Sequence, residues 1–178
     1  QRVILVHGVS APSYIWDSTV VALVGAGFRV ARYDMFGRGY SDRPDVPYTQ
    51  DLYVRQLAEL LDAVGFTGPI DLTGVSMGAA VITSFADRYP SRVRSLVYVD
   101  PSFRGSYMAP YVSTRPRLWS YMTAILDEPG WADEQLADFF RPERFGDWPA
   151  KYRVQMQYRG FRRARLSEFP SRRIACQG

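Results

Sequence analysis

The chain has 178 residues and a net charge of +4; 47% of its residues are apolar, 15% aromatic and 22% charged. That length suits one domain with a sizeable core, and the composition excludes a disordered, collagenous or coiled-coil chain. One cysteine, Cys176, excludes an intrachain disulfide, and one histidine, His7, excludes a metal site built from several cysteines or histidines.

No apolar run approaches the roughly 18 residues that a membrane span needs. The N-terminus opens inside the apolar run Val3-Ile4-Leu5-Val6, with no basic leader before it, so a cytoplasmic location is expected. Basic residues are unevenly spread. Residues 1–100 carry 9 basic and 10 acidic side chains, residues 101–178 carry 13 and 8. The cluster Arg159, Arg162, Arg163 and Arg165 is interleaved with Tyr158 and Phe161 at helical spacing, which reads as one amphipathic helix. No nucleic-acid motif accompanies it, so no nucleic-acid partner is expected.

In chain order, Arg2–His7 reads as a short β-branched strand ended by Gly8. Asp17–Gly25 suits a helix with Asp17 or Ser18 as N-cap. Phe28–Tyr33 is a second strand, and the glycines and prolines of Asp34–Pro47 make a loop. Thr49–Val64 carries a helical stripe of Leu52, Leu57, Leu60, Leu61 and Val64, with Gly65 beyond its end. Pro69–Val75 is a third strand, Met77–Tyr89 a third helix and Val93–Val99 a fourth strand. This alternation predicts an α/β fold with a mostly parallel sheet and flanking helices. Functional residues then gather beyond the carboxyl ends of the strands, at His7-Gly8-Val9, Asp34, Ser76 and Asp100. The alternation stops at Pro101. Residues 101–170 hold 14 of the 26 aromatic residues and read as helices without strands.

Gly74-Val75-Ser76-Met77-Gly78 is a G-x-S-x-G motif between an apolar strand and a helix. A strand turning sharply into a helix strains the serine backbone and crowds the flanking positions, which explains Gly74 and Gly78. Ser76 is the expected nucleophile, with the helix N-terminus favouring negative charge beside it. Attack on a carbonyl needs two backbone donors for the oxyanion. Met77, after the nucleophile, supplies one. The loop His7-Gly8-Val9-Ser10 supplies the other, with Val9 the first choice and Ser10 the second. His7 reads as shaping that loop, since a general base comes from a separate loop across the site. Asp34 reads as a structural residue of the Gly37–Ser41 loop, and Cys176 as a bystander.

These residues resemble the α/β-hydrolase superfamily, serine-hydrolase branch. The matching pieces are His7-Gly8, the run Tyr33-Asp34-Met35-Phe36-Gly37-Arg38-Gly39-Tyr40-Ser41-Asp42-Arg43-Pro44, the elbow Gly74–Gly78, and Tyr89-Pro90-Ser91-Arg92-Val93 leading to Asp100. The chain looks most similar to bacterial carboxylesterases and monoacylglycerol lipases. The resemblance implies residues 1–100 as the N-terminal part of the hydrolase core and residues 101–165 as a helical cap lining an acyl pocket. Residues 166–178 are then a return segment toward the core or a non-native tail. It also implies earlier strands, a later acid and a catalytic histidine. No histidine follows Ser76, so the chain is expected to be truncated at both ends. In some relatives the acid follows the strand that ends here at Asp100, which makes Asp100 either that acid or a strand-end cap.

The implied substrate is a small-molecule ester or acyl compound, with no cofactor. Serine at position 76 argues against epoxide hydrolases and haloalkane dehalogenases, which resemble this family and use aspartate there. Perhydrolysis, C–C bond hydrolysis and peptidase activity stay open. So does a different class, a non-catalytic binding protein or inert fragment. Oligomeric state is not legible.

Overall fold

The computed structural model describes residues 1–102, 126 and 128–167. Four parallel strands form one sheet: β1 (Arg2–Val6), β2 (Arg29–Tyr33), β3 (Ile70–Ser76) and β4 (Val93–Pro101), in the order β2-β1-β3-β4. The connections are α1 (Asp17–Gly25), α2 (Gln50–Ala63) and α3 (Met77–Arg88). The parallel α/β architecture expected from the alternation is therefore present.

Strand pleating sorts the core. Alternate side chains of a strand point to opposite faces. From β1, Val3 and Leu5 pack with Trp16 against Val20 and Leu23 of α1. Ile4 and Val6 face the other way, into the larger core. There they join Ile70 and Leu72 of β3, Tyr53, Val54, Leu57 and Leu61 of α2, and Val81, Ile82 and Phe85 of α3. The central strands β1 and β3 carry the buried positions, whereas β4 is largely exposed on this chain. Val97, Tyr98 and Val99 keep two fifths or more of their surface in solvent, at 48%, 40% and 42%.

Several boundaries differ from the sequence expectation. Neither Asp17 nor Ser18 caps α1. Trp16 holds the N-cap position with no side-chain bond, and Asp17 lies in the first turn, paired with Arg32. The cause is a 3₁₀ turn at Ser13–Trp16 that runs straight into the helix and moves its start one residue earlier than a side-chain cap would set it. At α2, Thr49, the first residue of the expected helix, is instead its N-cap, accepting from Leu52 N–H at 3.2 Å. β4 runs two residues past Val99, to Pro101, through a register shift beside Ser76.

Residues 128–167 are helical but broken into short pieces: α4 (Trp131–Glu134), α5 (Trp148–Met156), α6 (Phe161–Ser167) and intervening 3₁₀ turns. The arginine-rich helix starts only at Phe161, because Gly160 adopts φ 87° just before it. Trp131, Tyr152 and Phe161 form a separate small cluster. The piece meets the sheet half at a few points. Gly39 N–H donates to Gln155 Oε1 at 3.0 Å, Tyr14 sits edge-on to Trp148 at 4.6 Å, and Arg163 donates to the Arg43 carbonyl at 2.5 Å. Of the expected cap 101–165, residues 103–125 and 127 lie outside the described residues, as do residues 168–178 of the expected return segment 166–178, Cys176 included.

Candidate active site

Ser76 ends β3 and occupies the N-cap of α3, with φ 52° and ψ −119°. A positive φ is rare for a residue with a Cβ and costs of order 1–3 kcal/mol. The strain is held by close packing on both sides. A Cβ on Gly74 would stand 2.6 Å from the Gly78 backbone, and one on Gly78 would stand 2.5 Å from the Val6 carbonyl oxygen and 2.6 Å from that of His7. The first turn of α3 thus lies directly on the end of β1, and only glycine fits either position. Ser76 makes no side-chain capping bond, so its half-buried hydroxyl is not engaged by its own helix. Met77 opens α3, so its N–H has no acceptor within the helix.

The loop after β1 borders the serine. A Cβ on Gly8 would meet Ser76 Cβ at 3.1 Å and Ser76 Oγ at 3.6 Å. Val9 follows immediately. The structure thereby brings Gly8, next to Val9, against Ser76.

His7 is wholly buried and uses both ring nitrogens. Met35 N–H donates to its Nε2 at 2.9 Å, which places the ring proton on Nδ1, and Nδ1–H donates to the Gly8 carbonyl at 2.6 Å. Burial pushes its pKa down to about 4, against the opposing effect of the Gly8 carbonyl. The ring is therefore neutral near pH 7 and has no lone pair left to take a proton from Ser76. Its bond to Gly8 has a further effect. The Gly8 carbonyl and the Val9 N–H belong to one planar trans peptide and point in opposite directions. Holding the carbonyl sets the direction of the Val9 N–H.

Asp34 is a loop organiser. Its carboxylate accepts from Ser13 N–H at 2.8 Å and Tyr40 N–H at 2.9 Å, and its carbonyl accepts from Ser41 Oγ and Gln56 Nε2. Burial alone would raise its pKa; the two backbone bonds and the Ser13 hydroxyl outweigh burial and hold it below the ordinary carboxylate value.

Asp100 lies at the exposed end of β4, at φ 42°, where the β3–β4 register shifts so that Pro101 pairs with Ser76. Ser102 N–H donates to the Ser76 carbonyl at 3.2 Å. Asp100 therefore sits one strand away from the serine, in a strained conformation that the sequence did not signal.

Arg38 is the residue that sequence reasoning passed over. It stood in the quoted loop motif without a role, yet its side chain is almost fully buried, at 1% exposure. Its Nε–H donates to the Val9 carbonyl at 2.8 Å. An arginine between two glycines gives no sequence signal of burial, since arginines are mostly exposed.

Among the described aromatic residues of 128–167, Phe139 stacks on Phe145 and both meet Trp148 edge-on, while Trp131 and Tyr152 pack against Phe161. Among the described residues, no helix is long and apolar enough to cross a membrane, and no group of three or more His, Cys, Asp or Glu could hold a metal ion.

A family model for the alpha/beta hydrolase fold matches residues 1–173. A 2-hydroxymuconate semialdehyde hydrolase from a Pseudomonas species is 30% identical over 176 residues, covering 95% of this chain and 59% of that enzyme. Lipase LipV of Mycobacterium tuberculosis is 37% identical over 101 residues, 57% of this chain and 37% of the lipase. Among solved structures, a thermophilic esterase from Thermogutta terrifontis is similar with a TM-score of 0.75 and 26% identity, covering 97% of this chain and 64% of the esterase. The chain spans from 34% to 61% of the length of such curated relatives.

Proposed function

The chain belongs to the alpha/beta hydrolase fold family, and from that premise we propose that it carries the nucleophile of a serine hydrolase acting on carboxylic esters. The observation that carries the reading is Ser76 itself. It stands in a strained turn at the N-terminus of α3, its hydroxyl not spent on capping and Gly8 beside it.

In this reading Ser76 Oγ attacks the ester carbonyl carbon and loses its proton to a base. The carbonyl oxygen becomes an oxyanion, held by the Val9 and Met77 N–H groups and by the positive end of α3. Collapse expels the alcohol, which takes the proton from the base, and leaves an acyl-serine. Water then releases the acid and restores Ser76. The base is a histidine outside these 178 residues, since His7 is the one histidine here and both its nitrogens are occupied. Asp100 is a candidate to orient that histidine. Residues 101–165 serve as the cap over the acyl group, and no cofactor takes part.

A second reading, hydrolysis of a C–C bond next to a carbonyl, uses the same serine and donors. It is favoured by the 2-hydroxymuconate semialdehyde hydrolase that covers 95% of this chain. The test compares the full-length gene product with its Ser76→Ala variant on short p-nitrophenyl esters. Ser76-dependent ester turnover is expected. No ester turnover but Ser76-dependent cleavage of a vinylogous 1,5-diketone would favour the C–C reading. Absence of both activities would favour a non-catalytic binding protein.

A further inference from the structure

The oxyanion segment is gripped at two successive carbonyls, and both grips come from one loop. The first is indirect. Met35 N–H fixes the His7 ring, and His7 fixes the Gly8 carbonyl. The second is direct, from Arg38 Nε to the Val9 carbonyl at 2.8 Å, with Arg38 Nη1 also on the Gly37 carbonyl at 3.3 Å. Arg38 N–H in turn donates to the Met35 carbonyl, Ser41 N–H to the Arg38 carbonyl, and Gly37 N–H to the Asp42 carbonyl, so the loop is tied to itself.

The mechanical consequence follows from peptide planarity. The Gly8–Val9 and Val9–Ser10 peptides are two rigid plates joined at the Val9 Cα, with only φ and ψ of Val9 free between them. His7 holds the first plate and Arg38 holds the second. With both carbonyls fixed, neither torsion can relax, and the Val9 N–H stays aimed in one direction. A donor that need not reorganise as charge develops is what makes such a site effective. A guanidinium is suited to the task, since it is planar and stays charged, and its Nε–H points sideways from the stem into the loop.

We propose that Arg38 is a positioning residue for ester hydrolysis: its buried guanidinium holds the Val9 carbonyl, and so keeps the Val9 N–H on the oxyanion formed at Ser76. The inference rests on the serine-hydrolase reading. It assigns Arg38 no contact with substrate.

The test uses the full-length gene product, with Arg38→Ala, Arg38→Lys and Ser76→Ala beside the wild type. Two quantities are read. One is kcat and KM on a p-nitrophenyl ester. The other is the affinity for a trifluoromethyl ketone of the same acyl chain, whose adduct with serine carries the oxyanion. Misplacing one donor costs on the order of 10²-fold in rate. Arg38→Ala is expected to lower kcat by about that factor with KM changed by less than about twofold, and to weaken ketone binding in proportion to kcat/KM. Arg38→Lys, which loses the planar fork, is expected to lower both by roughly tenfold; it carries the test if Arg38→Ala does not fold. Ketone affinity that stays at the wild-type value in folded variants, or a loss confined to KM, overturns the proposal while leaving the serine reading intact. Wild-type turnover no faster than that of Ser76→Ala removes the serine reading, and the proposal with it.

Discussion

The strand ends and the 128–167 segment are built on different principles. At the ends of β1 and β3, backbone packs on backbone. Gly78 lies on the Val6 and His7 carbonyls, Gly74 on Gly78, and Gly8 beside Ser76. Buried polar side chains, His7 and Arg38, complete that region by holding carbonyls. In 128–167, side chain packs on side chain, in ring clusters such as Phe139–Phe145–Trp148, and the helices are short. Backbone packing tolerates almost no change of residue, whereas ring clusters accept several arrangements of similar volume. The first region fixes where the Ser76 hydroxyl stands, and the second is free to vary in shape.

The largest effect expected from this contrast is that of Gly78→Ala. The added methyl meets two backbone carbonyl oxygens, that of Val6 at the end of β1 and that of His7 just after it. A loss of about 3 kcal/mol or more is expected in urea denaturation, at the upper end for overpacking. A loss below about 1 kcal/mol would mean that the elbow is not close-packed, and would remove the distinction between the two regions.

Acid should weaken the same region next. The His7 pKa is about 4 when folded and 6.5 in the unfolded reference. The unfolded chain therefore binds more protons between those values, and stability falls as pH drops. His7 contributes fully above about pH 6.5, and its contribution of about 3 kcal/mol is lost progressively toward pH 4. Asp34, held below the ordinary carboxylate value, adds to the loss at lower pH, as acid protonates it. Denaturation midpoints across this range, for the wild type and His7→Gln, separate the two. The variant should lose the part of the slope between pH 6.5 and about 4. An equal slope in both proteins would contradict the buried neutral ring.

The seam between the regions carries a smaller effect. Gln155→Ala leaves the Gly39 N–H without its acceptor, which costs about 1–2 kcal/mol for a buried donor. Hydrogen exchange at the Gly39 amide should rise in the variant. Unchanged exchange would mean that the 128–167 segment does not hold the loop.

Much of the first region was legible in the sequence because its constraints are written in residue type. A β-branched run ended by Gly8 located β1, and the spacing of Gly74 and Gly78 located the turn at Ser76. Thr49 signalled the start of α2. What escaped had no such mark. The burial of Arg38 depends on Val9, twenty-nine residues away in sequence. The bulge that carries β4 on to Pro101 and puts Asp100 at φ 42° comes from pairing with β3, not from local preference. In 128–167 the aromatic spacing suits a pocket lining and a small core alike, so it did not mark which rings would pack together.

The most direct test of the central claim is covalent. The full-length gene product is treated with a fluorophosphonate at neutral pH, digested, and searched by mass spectrometry for the modified peptide. One adduct is expected, on Ser76, that disappears in Ser76→Ala and is blocked by a slowly hydrolysed ester. An adduct on another residue, or labelling equal in Ser76→Ala, would contradict the assignment of Ser76 as the nucleophile.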